Sequence, residues 1–174
     1  GILGYGRIGR RVAADLAALG FPVRAWSRSP QDTDPGVVHH HGLDGLAAML
    51  GETEILVNLL PLTPETRGIL DARLFSRLRP GGLLIQVGRG EHLVEADLLA
   101  ALDSGHLAGA ALDVFATEPL PTAHPFWDHP AIRITPHEAC EASPRAVART
   151  LLAAAEAVRA GRVPPDTVDA ARGY

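Results

Sequence analysis

Short apolar runs alternate with segments of helical periodicity along most of the chain. The apolar runs are nearly continuous, which is typical of strands buried on both faces of a sheet. Between them, apolar residues recur about every three to four positions, which predicts amphipathic helices. The predicted strands are a first stub ending at Leu3 and the segments 21–26, 54–59, 83–87, 108–115 and 131–134. Strands that alternate with helices predict an α/β fold with a doubly wound parallel sheet.

Capping and turn residues mark the ends of the predicted helices. Asp71 is suited to cap one helix, and Ser143 followed by Pro144 is typical of the start of another. Residues 27–42 are rich in Ser, Pro, Asp, Gly and His, and we interpret them as a loop. The predicted helices are 8–19, 43–50, 71–78, 95–102 and 143–160.

A glycine-rich turn joins the first strand to the first helix and has glycine at positions 4, 6 and 9. In this pattern Gly4 permits the tight turn, Gly6 lets the backbone approach a pyrophosphate, and Gly9 allows close packing of helix and strand. Free N–H groups at the helix N-terminus favour the same anion. The turn therefore predicts a Rossmann dinucleotide-binding domain, with a tight turn that holds no ligand as the alternative.

The end of the second predicted strand bears on the choice of cofactor. Sites that bind NAD usually have an acidic residue about 20 positions after the glycine turn. No acid lies between Asp15 and Asp32, and the strand is followed by Ser27 and Arg28. An arginine beside hydroxyl groups suits a 2′-phosphate, so we predict that NADP(H) is preferred and that NAD(H) is possible. The alternative for Arg28 is a solvated surface charge.

Three polar residues follow the predicted strands 83–87, 108–115 and 131–134, and they are Arg89, Glu118 and His137. Ligands of open α/β sheets bind beyond the carboxyl ends of the strands, where these residues would meet. Arginine can clamp a carboxylate and polarise a carbonyl. Histidine can exchange a proton, and a glutamate bonded to its other nitrogen can orient it. Together with a hydride from the predicted nicotinamide cofactor, these groups suffice to reduce the carbonyl of a carboxylate-bearing substrate.

The composition narrows the chemistry further. The chain has 174 residues and a net charge of −4, and all 16 of its basic residues are arginine. Without lysine there can be no Schiff-base or P-loop lysine. A mildly acidic chain does not suit non-specific binding of nucleic acid. No apolar run approaches the roughly 18 residues of a membrane helix. We therefore expect no nucleic-acid or membrane partner.

The cysteine and the clustered histidines point to no metal chemistry. Cys140 is the single cysteine, so no intrachain disulfide can form, as is compatible with a cytoplasmic protein. A buried inert thiol and a reactive thiol near the site both remain open for Cys140. The adjacent histidines 39–41 lack the spacing that a shared ion needs, so we interpret them as part of a solvated loop. We expect no metal site.

Ordered motifs extend from the glycine turn to the C-terminus. They occupy residues 4–9, 58–66, 88–90, 102–105, 112–115, 118–121, 135–137 and 168–174. Their combination resembles the D-isomer-specific 2-hydroxyacid dehydrogenase family, and within it the glyoxylate/hydroxypyruvate reductase A type. The resemblance covers essentially the whole chain.

The resemblance implies an NAD(P)-dependent enzyme that reduces a small 2-oxoacid such as glyoxylate or hydroxypyruvate by hydride transfer. It implies that Arg89, Glu118 and His137 are the catalytic residues and that His137 is the acid/base. The cofactor-binding residues that it implies are Gly4, Gly6, Arg7, Ile8, Gly9, Ser27, Arg28, Leu60, Pro61, Thr66, Val87, Gly88 and Asp113.

Some residues leave alternatives open or depart from the family pattern. Asp113 would face the nicotinamide amide, or it would simply cap a strand end. The family usually has alanine where this chain has Gly88. Glu138 and Glu141 follow His137 where small apolar residues are common, and they could alter substrate choice or the titration of the histidine.

The resemblance also predicts the domain organisation. Residues 1–145 would form the NAD(P)-binding domain, truncated within its first strand. Residues 146–174 would return as a helix and tail to a substrate domain that is mostly absent from the chain. We therefore expect the chain alone to bind NADPH weakly and to turn over little, and we expect the protein to form a homodimer. The alternatives are a non-enzymatic, corepressor-like module that senses nicotinamide nucleotides, and the same chemistry on another 2-oxoacid such as phosphoglycerate.

Overall fold

The computed structural model describes residues 1–139, 143–165 and 167–168. The strands are β1 (Ile2–Leu3), β2 (Val23–Ser27), β3 (Val37–His41), β4 (Ile55–Asn58), β5 (Gly82–Gln86), β6 (Leu107–Leu112) and β7 (Ile132–Ile134). The helices are α1 (Arg7–Ala18), α2 (Gly42–Gly51), α3 (Ala72–Phe75), α4 (Glu95–Asp103) and α5 (Pro144–Arg159).

Within the described residues the strands form one parallel sheet of seven, in the order β3-β2-β1-β4-β5-β6-β7. The chain therefore builds the sheet outwards from β1 in one direction and then from β4 in the other. The strand order reverses between β1 and β4, which is where open α/β sheets bind their ligands. The predicted doubly wound α/β fold is confirmed.

The core lies on both faces of this sheet. Ile2 packs on the face that α1 covers, in a cluster with Ala13 and Val37. Leu3, the next residue, packs on the opposite face with apolar side chains of α2, α3 and α4. Successive side chains of a strand point to opposite faces, so a two-residue central strand is enough to contribute to both layers of core.

The interpretation of residues 27–42 as a loop is wrong, because β3 occupies Val37–His41 and pairs along its whole length with β2. The three histidines at 39–41 therefore lie in an edge strand and not in a solvated loop. His39 stacks on the ring of Tyr5 at a centroid distance of 5.2 Å. Histidine carries no strong strand signal, and the neighbouring turn residues hid the short apolar start of this strand.

The predicted caps at Asp71 and Ser143 are confirmed, but one predicted helix is shorter than expected. The Asp71 side chain accepts a hydrogen bond from the backbone N–H of Leu74 at 2.8 Å, and Ser143 Oγ accepts one from Ala146 at 3.2 Å. The helix that Asp71 caps is only four residues long, however, where the sequence predicted one reaching Leu78. The apolar residues that suggested a longer helix pack into the core from the turn that follows.

The chain divides into two compact units, Gly1–His137 and Glu138–Tyr174. The sheet and its helices lie in the first unit, and α5 lies in the second. The proposed domains 1–145 and 146–174 remain a prediction. Cys140, Glu141 and the motif that ends at Tyr174 fall outside the described residues, apart from 168. None of the described helices is long and apolar enough to span a bilayer.

Candidate active site

The glycine turn has the geometry that its sequence pattern predicts. Gly4 has a φ of +99°, and a Cβ placed on Gly9 would lie 1.9 Å from the carbonyl oxygen of Gly4. At Gly6, by contrast, no heavy atom of the described residues would lie within 4 Å of such a Cβ. Arg7 and Ile8, the first residues of α1, are exposed, and no side chain in the described part of the protein caps that helix. The turn therefore presents open backbone and an uncapped helix N-terminus to solvent.

His39, for which the sequence predicted no role at the site, contacts the end of β2. Ser27 is buried, and its Oγ donates a hydrogen bond to the carbonyl of Ser29 at 2.8 Å. The same Oγ lies 2.7 Å from Nε2 of His39, which must therefore be the donor. Arg28, at the tip of this turn, is exposed. The turn that we expect to contact the cofactor is thus braced from β3.

The loop after β4 is shaped by a threonine. Thr66 Oγ1 donates to the carbonyl of Pro61 at 2.7 Å and accepts from the backbone N–H of Thr63 at 2.8 Å. Leu60 is buried, and its N–H lies 3.3 Å from Oδ1 of Asn58, the last residue of β4. Leu60, Pro61 and Thr66 are therefore neighbours in one ordered loop at the point where the strand order reverses.

The arginine loop after β5 lies against the loop after β6. The Arg89 side chain is exposed, and its Nη1 donates to the carbonyl of Gly88 at 2.8 Å. A Cβ on Gly90 would lie 1.9 Å from the carbonyl carbon of Phe115. Only glycine permits this approach, so Gly90 fixes the distance between the loop that carries Arg89 and the one that leads to Glu118. Val87 is half-buried beside them.

Glu118 and His137 form a hydrogen-bonded pair. Nδ1 of His137 donates to Oε2 of Glu118 at 2.9 Å, and the other carboxylate oxygen of Glu118 accepts from the backbone N–H of Phe115 at 2.9 Å. These two donors, the histidine first, lower the pKa of Glu118 below its ordinary value. With Nδ1 committed to the carboxylate, Nε2 is the ring nitrogen that can exchange a proton with a ligand.

The backbone of His137 is unusual. Its φ is +58°, in the left-handed region that residues other than glycine rarely adopt. Such a conformation costs about 1–3 kcal/mol and persists only where surrounding contacts impose it. Strained residues of this kind cluster at functional sites, and here the strain falls on the histidine that the sequence analysis singled out.

Asp113 connects the ends of β6 and β7. It is buried, its N–H donates to the carbonyl of Gln86 at 3.0 Å, and its Oδ1 accepts a short hydrogen bond from Thr135 Oγ1. Thr135 in turn donates its N–H to the carbonyl of Leu112 at 3.0 Å. Asp113 therefore has the contacts of a strand-end cap, and its expected contact with a nicotinamide amide remains a prediction.

A buried polar cluster that the sequence motifs did not predict lies behind Arg89. Asn58, Gln86 and His92 are all fully buried, and their side chains are within hydrogen-bonding distance of one another or of the Arg89 backbone. One signal was available in the sequence: Asn58 and Gln86 are polar residues that end two otherwise apolar strands. No group of three or more potential metal ligands occurs among the described residues.

A parallel sheet with this strand order, an open glycine turn and polar groups along one edge defines a dinucleotide-binding domain. A family model described as D-isomer specific 2-hydroxyacid dehydrogenase, NAD binding domain, matches residues 1–139. The chain belongs to this family.

Curated relatives match the chain over its whole length. The glyoxylate/hydroxypyruvate reductase A of Serratia proteamaculans (strain 568) is 53% identical over 174 residues, which are 100% of this chain and 55% of that protein. The protein of the same name from Yersinia enterocolitica is 49% identical with the same coverage. The chain therefore spans about half the length of the curated relatives it matches.

Solved structures are similarly close. A D-isomer specific 2-hydroxyacid dehydrogenase from Xanthobacter autotrophicus Py2, in complex with NADPH and MES, is 44% identical with a TM-score of 0.95, covering 99% of this chain and 71% of that one. An NADPH-dependent glyoxylate/hydroxypyruvate reductase from Sinorhizobium meliloti, in complex with NADP and sulfate, is 43% identical with a TM-score of 0.94, covering 99% of this chain and 56% of that one.

Proposed function

We propose that this chain is the cofactor-binding part of a reductase that converts glyoxylate or hydroxypyruvate into the 2-hydroxyacid with NADPH. The observation that carries the proposal is the hydrogen bond from His137 to Glu118, formed at the sheet edge where the glycine turn also lies. The relatives named as glyoxylate/hydroxypyruvate reductases, and the similar structures in complex with NADPH or NADP, support it.

The residues of the glycine turn fit a dinucleotide. The open space at Gly6 and the uncapped first turn of α1, which contains no acidic residue, suit a pyrophosphate. Arg28, Ser27 and Ser29 would distinguish NADP(H) from NAD(H) at the end of β2. When bound, NADPH supplies the hydride that reduces the keto carbon.

The chain's own residues would then position the substrate and deliver a proton. Arg89 would bind the substrate carboxylate and polarise its carbonyl. His137, oriented by Glu118, would donate the proton on Nε2 to the oxygen that becomes the hydroxyl group. The Glu118 carboxylate would hold the ring in the orientation that leaves Nε2 for the substrate, because it accepts the hydrogen bond from Nδ1.

The proposal is tested by NADPH oxidation with glyoxylate, hydroxypyruvate and phosphohydroxypyruvate, in the protein at the full length its gene encodes. We expect turnover with the first two, and loss of turnover with retained NADPH binding in Arg89→Ala and His137→Ala. Turnover retained in either variant would contradict the assigned roles. Preference for phosphohydroxypyruvate would favour the related chemistry on another 2-oxoacid, and NADPH binding without any turnover would favour a sensing module.

Cofactor choice is tested separately by binding. We expect NADPH to bind the wild-type protein more tightly than NADH, and Arg28→Asp to reverse that order, because a carboxylate repels a 2′-phosphate and accepts hydrogen bonds from a ribose 2′-hydroxyl. A wild-type preference for NADH would overturn the assignment. We further propose a cytoplasmic homodimer, for which light scattering on the full-length protein is the measurement.

A further inference from the structure

Three polar side chains are buried directly behind the Arg89 loop. Asn58 ends β4, Gln86 ends β5, and His92 lies in the short 3₁₀ turn Gly90–His92 that follows Arg89. Each has no exposed surface. Buried polar groups are costly unless they are hydrogen-bonded, and a fully bonded cluster makes its surroundings rigid.

The cluster holds the backbone of Arg89 on both sides. Gln86 Nε2 donates to the carbonyl of Arg89 at 2.9 Å, and the N–H of Arg89 donates to Nδ1 of His92 at 3.1 Å. Gln86 Oε1 accepts from Asn58 Nδ2 at 2.7 Å and from the N–H of Gly88 at 3.2 Å. The peptide groups that flank Arg89 are therefore set by side chains, and not only by the strand that precedes them.

The hydrogen-bond donors around His92 determine its tautomer. Nδ1 of the ring faces two donors, the N–H of Arg89 at 3.1 Å and Nδ2 of Asn58 at 3.0 Å, so it must be an unprotonated acceptor. The proton is then on Nε2, which lies 3.3 Å from the carbonyl of Pro61. Burial favours this neutral ring by lowering the pKa of His92.

His92 therefore bridges two loops. One end of the ring contacts the loop after β4, through Pro61, and the other contacts the loop after β5, through Arg89. The backbones of the same loops are also paired, since Leu70 donates to the carbonyl of His92 at 2.9 Å and accepts from the N–H of Val94 at 3.0 Å.

Gly88 gives an independent indication of how tightly this cluster is packed. A Cβ added there would lie 2.8 Å from Asn58 Nδ2 and 2.9 Å from His92 Nδ1. Both atoms are buried and hydrogen-bonded, so neither can move aside without breaking a bond. Glycine at position 88 therefore leaves room for both atoms where they lie.

We propose that His92, as the neutral Nε2–H tautomer, is a positioning residue that sets the Arg89 loop against the Pro61 loop, with Gly88 supplying the space. This inference rests on the proposed function for what Arg89 binds. Misplacing a substrate-binding group by about 1 Å can lower the rate roughly 100-fold, so we expect loss of the bridge to lower the rate of reduction.

The first test needs no activity. Nitrogen-15 imidazole spectra of the full-length protein near neutral pH report the tautomer of His92, and hydrogen exchange reports the protection of the Arg89 amide. We expect the Nε2–H tautomer and a protected amide that loses protection in His92→Ala. An Nδ1–H tautomer, an imidazolium, or an amide that exchanges freely in the wild type would overturn the proposal, whatever the protein catalyses.

The second test separates positioning from general stabilisation. In the full-length protein we expect His92→Ala and Gly88→Ala each to lower kcat/KM for the oxoacid roughly 10-fold to 100-fold. We expect this factor to exceed any rise in the Kd for NADPH. In the double variant, the space left by the ring should accept the new methyl group, so Gly88→Ala should cost less there than in the wild type.

A matched control is His106→Gln. His106 also has a ring nitrogen 2.8 Å from a backbone carbonyl, that of Phe75, but it precedes β6 at the opposite edge of the sheet. We expect it to change melting temperature without changing kcat/KM. Equal loss of kcat/KM in His106→Gln, or additive losses in the double variant, would show His92 to be merely structural. A wild-type protein that reduces no oxoacid would refute the proposed function and leave the spectroscopic test standing.

Discussion

Nε2 of His39 lies 2.7 Å from Oγ of Ser27, so that an imidazole in the edge strand β3 braces the last residue of β2. Ser27 in turn contacts the other side of Arg28, because its Oγ donates a hydrogen bond to the carbonyl of Ser29. A strand that sequence patterning did not reveal therefore shapes the turn that we propose to recognise the 2′-phosphate.

We predict that His39→Leu selectively weakens NADPH binding. Loss of one hydrogen bond worth about 1 kcal/mol should raise the Kd for NADPH roughly fivefold, while the Kd for NADH stays within about twofold. Calorimetry with both cofactors measures the difference. Val38→Ala, in the same strand but exposed, is the control and should change neither constant. Equal weakening of both cofactors in His39→Leu would show that the contact supports the fold and not the specificity.

Two glycines of the glycine turn should respond differently to substitution, because Gly9 is packed against backbone and Gly6 faces the expected cofactor site. Gly9→Ala should destabilise the protein because its Cβ would meet the Gly4 carbonyl at 1.9 Å. Gly6→Ala should leave the melting temperature unchanged, because no described atom lies near its Cβ, yet it should weaken NADPH binding at least about tenfold by blocking the pyrophosphate. Unchanged NADPH affinity in Gly6→Ala would contradict the assigned cofactor site.

The pair of Glu118 and His137 predicts a graded loss of turnover. His137→Ala should lower kcat roughly 10²–10⁴-fold, the usual contribution of general acid catalysis, with little change in the Kd for NADPH. Glu118→Gln should cost less, since it keeps a hydrogen-bond acceptor but removes the charge. Asp103→Asn is a matched control, because Asp103 lies 3.4 Å from Nε2 of His129 in a similar pair away from the site. If Asp103→Asn lowered kcat as much as Glu118→Gln, the result would contradict the proposed catalytic role of the pair of Glu118 and His137.

Stability should fall as the solution is acidified through the ordinary range of histidine. Burial lowers the pKa of both His92 and His39 in the folded protein. The unfolded chain therefore binds protons first, as pH falls below about 6.5, and its free energy falls relative to that of the folded state until the lower folded pKa values are reached. Urea unfolding at about pH 8 and about pH 5.5 measures this loss. His92→Gln should show a smaller difference between the two conditions; an undiminished difference would place the titrating group elsewhere.

The large features of the fold could be predicted because each has a local cause. Continuous apolar runs specify buried parallel strands, and the glycines at 4 and 9 specify a turn in which a larger residue would clash with the backbone. Arg89, Glu118 and His137 could be found by one rule, since each follows a strand at the carboxyl edge of the sheet. The contact between Glu118 and His137 was expected and is present.

The missed features depend on contacts between segments that are distant in sequence. The strand β3 is stabilised by pairing with β2 and by stacking of His39 on Tyr5, neither of which a short window of sequence contains. His92 is 34 residues from Asn58, and its burial follows from the sheet bringing two loops together. Single-sequence patterns report local preference, and these features are decided by tertiary packing.

The space at position 88 also limits how this site can change over evolutionary time. A methyl group there would lie 2.8 Å from Asn58 Nδ2 and 2.9 Å from His92 Nδ1, so at least one of these side chains has to shift to admit it. Alanine at position 88 should therefore be accepted more readily after a change at position 58 or 92 than before it. The effects of substitutions at these three positions should depend on one another.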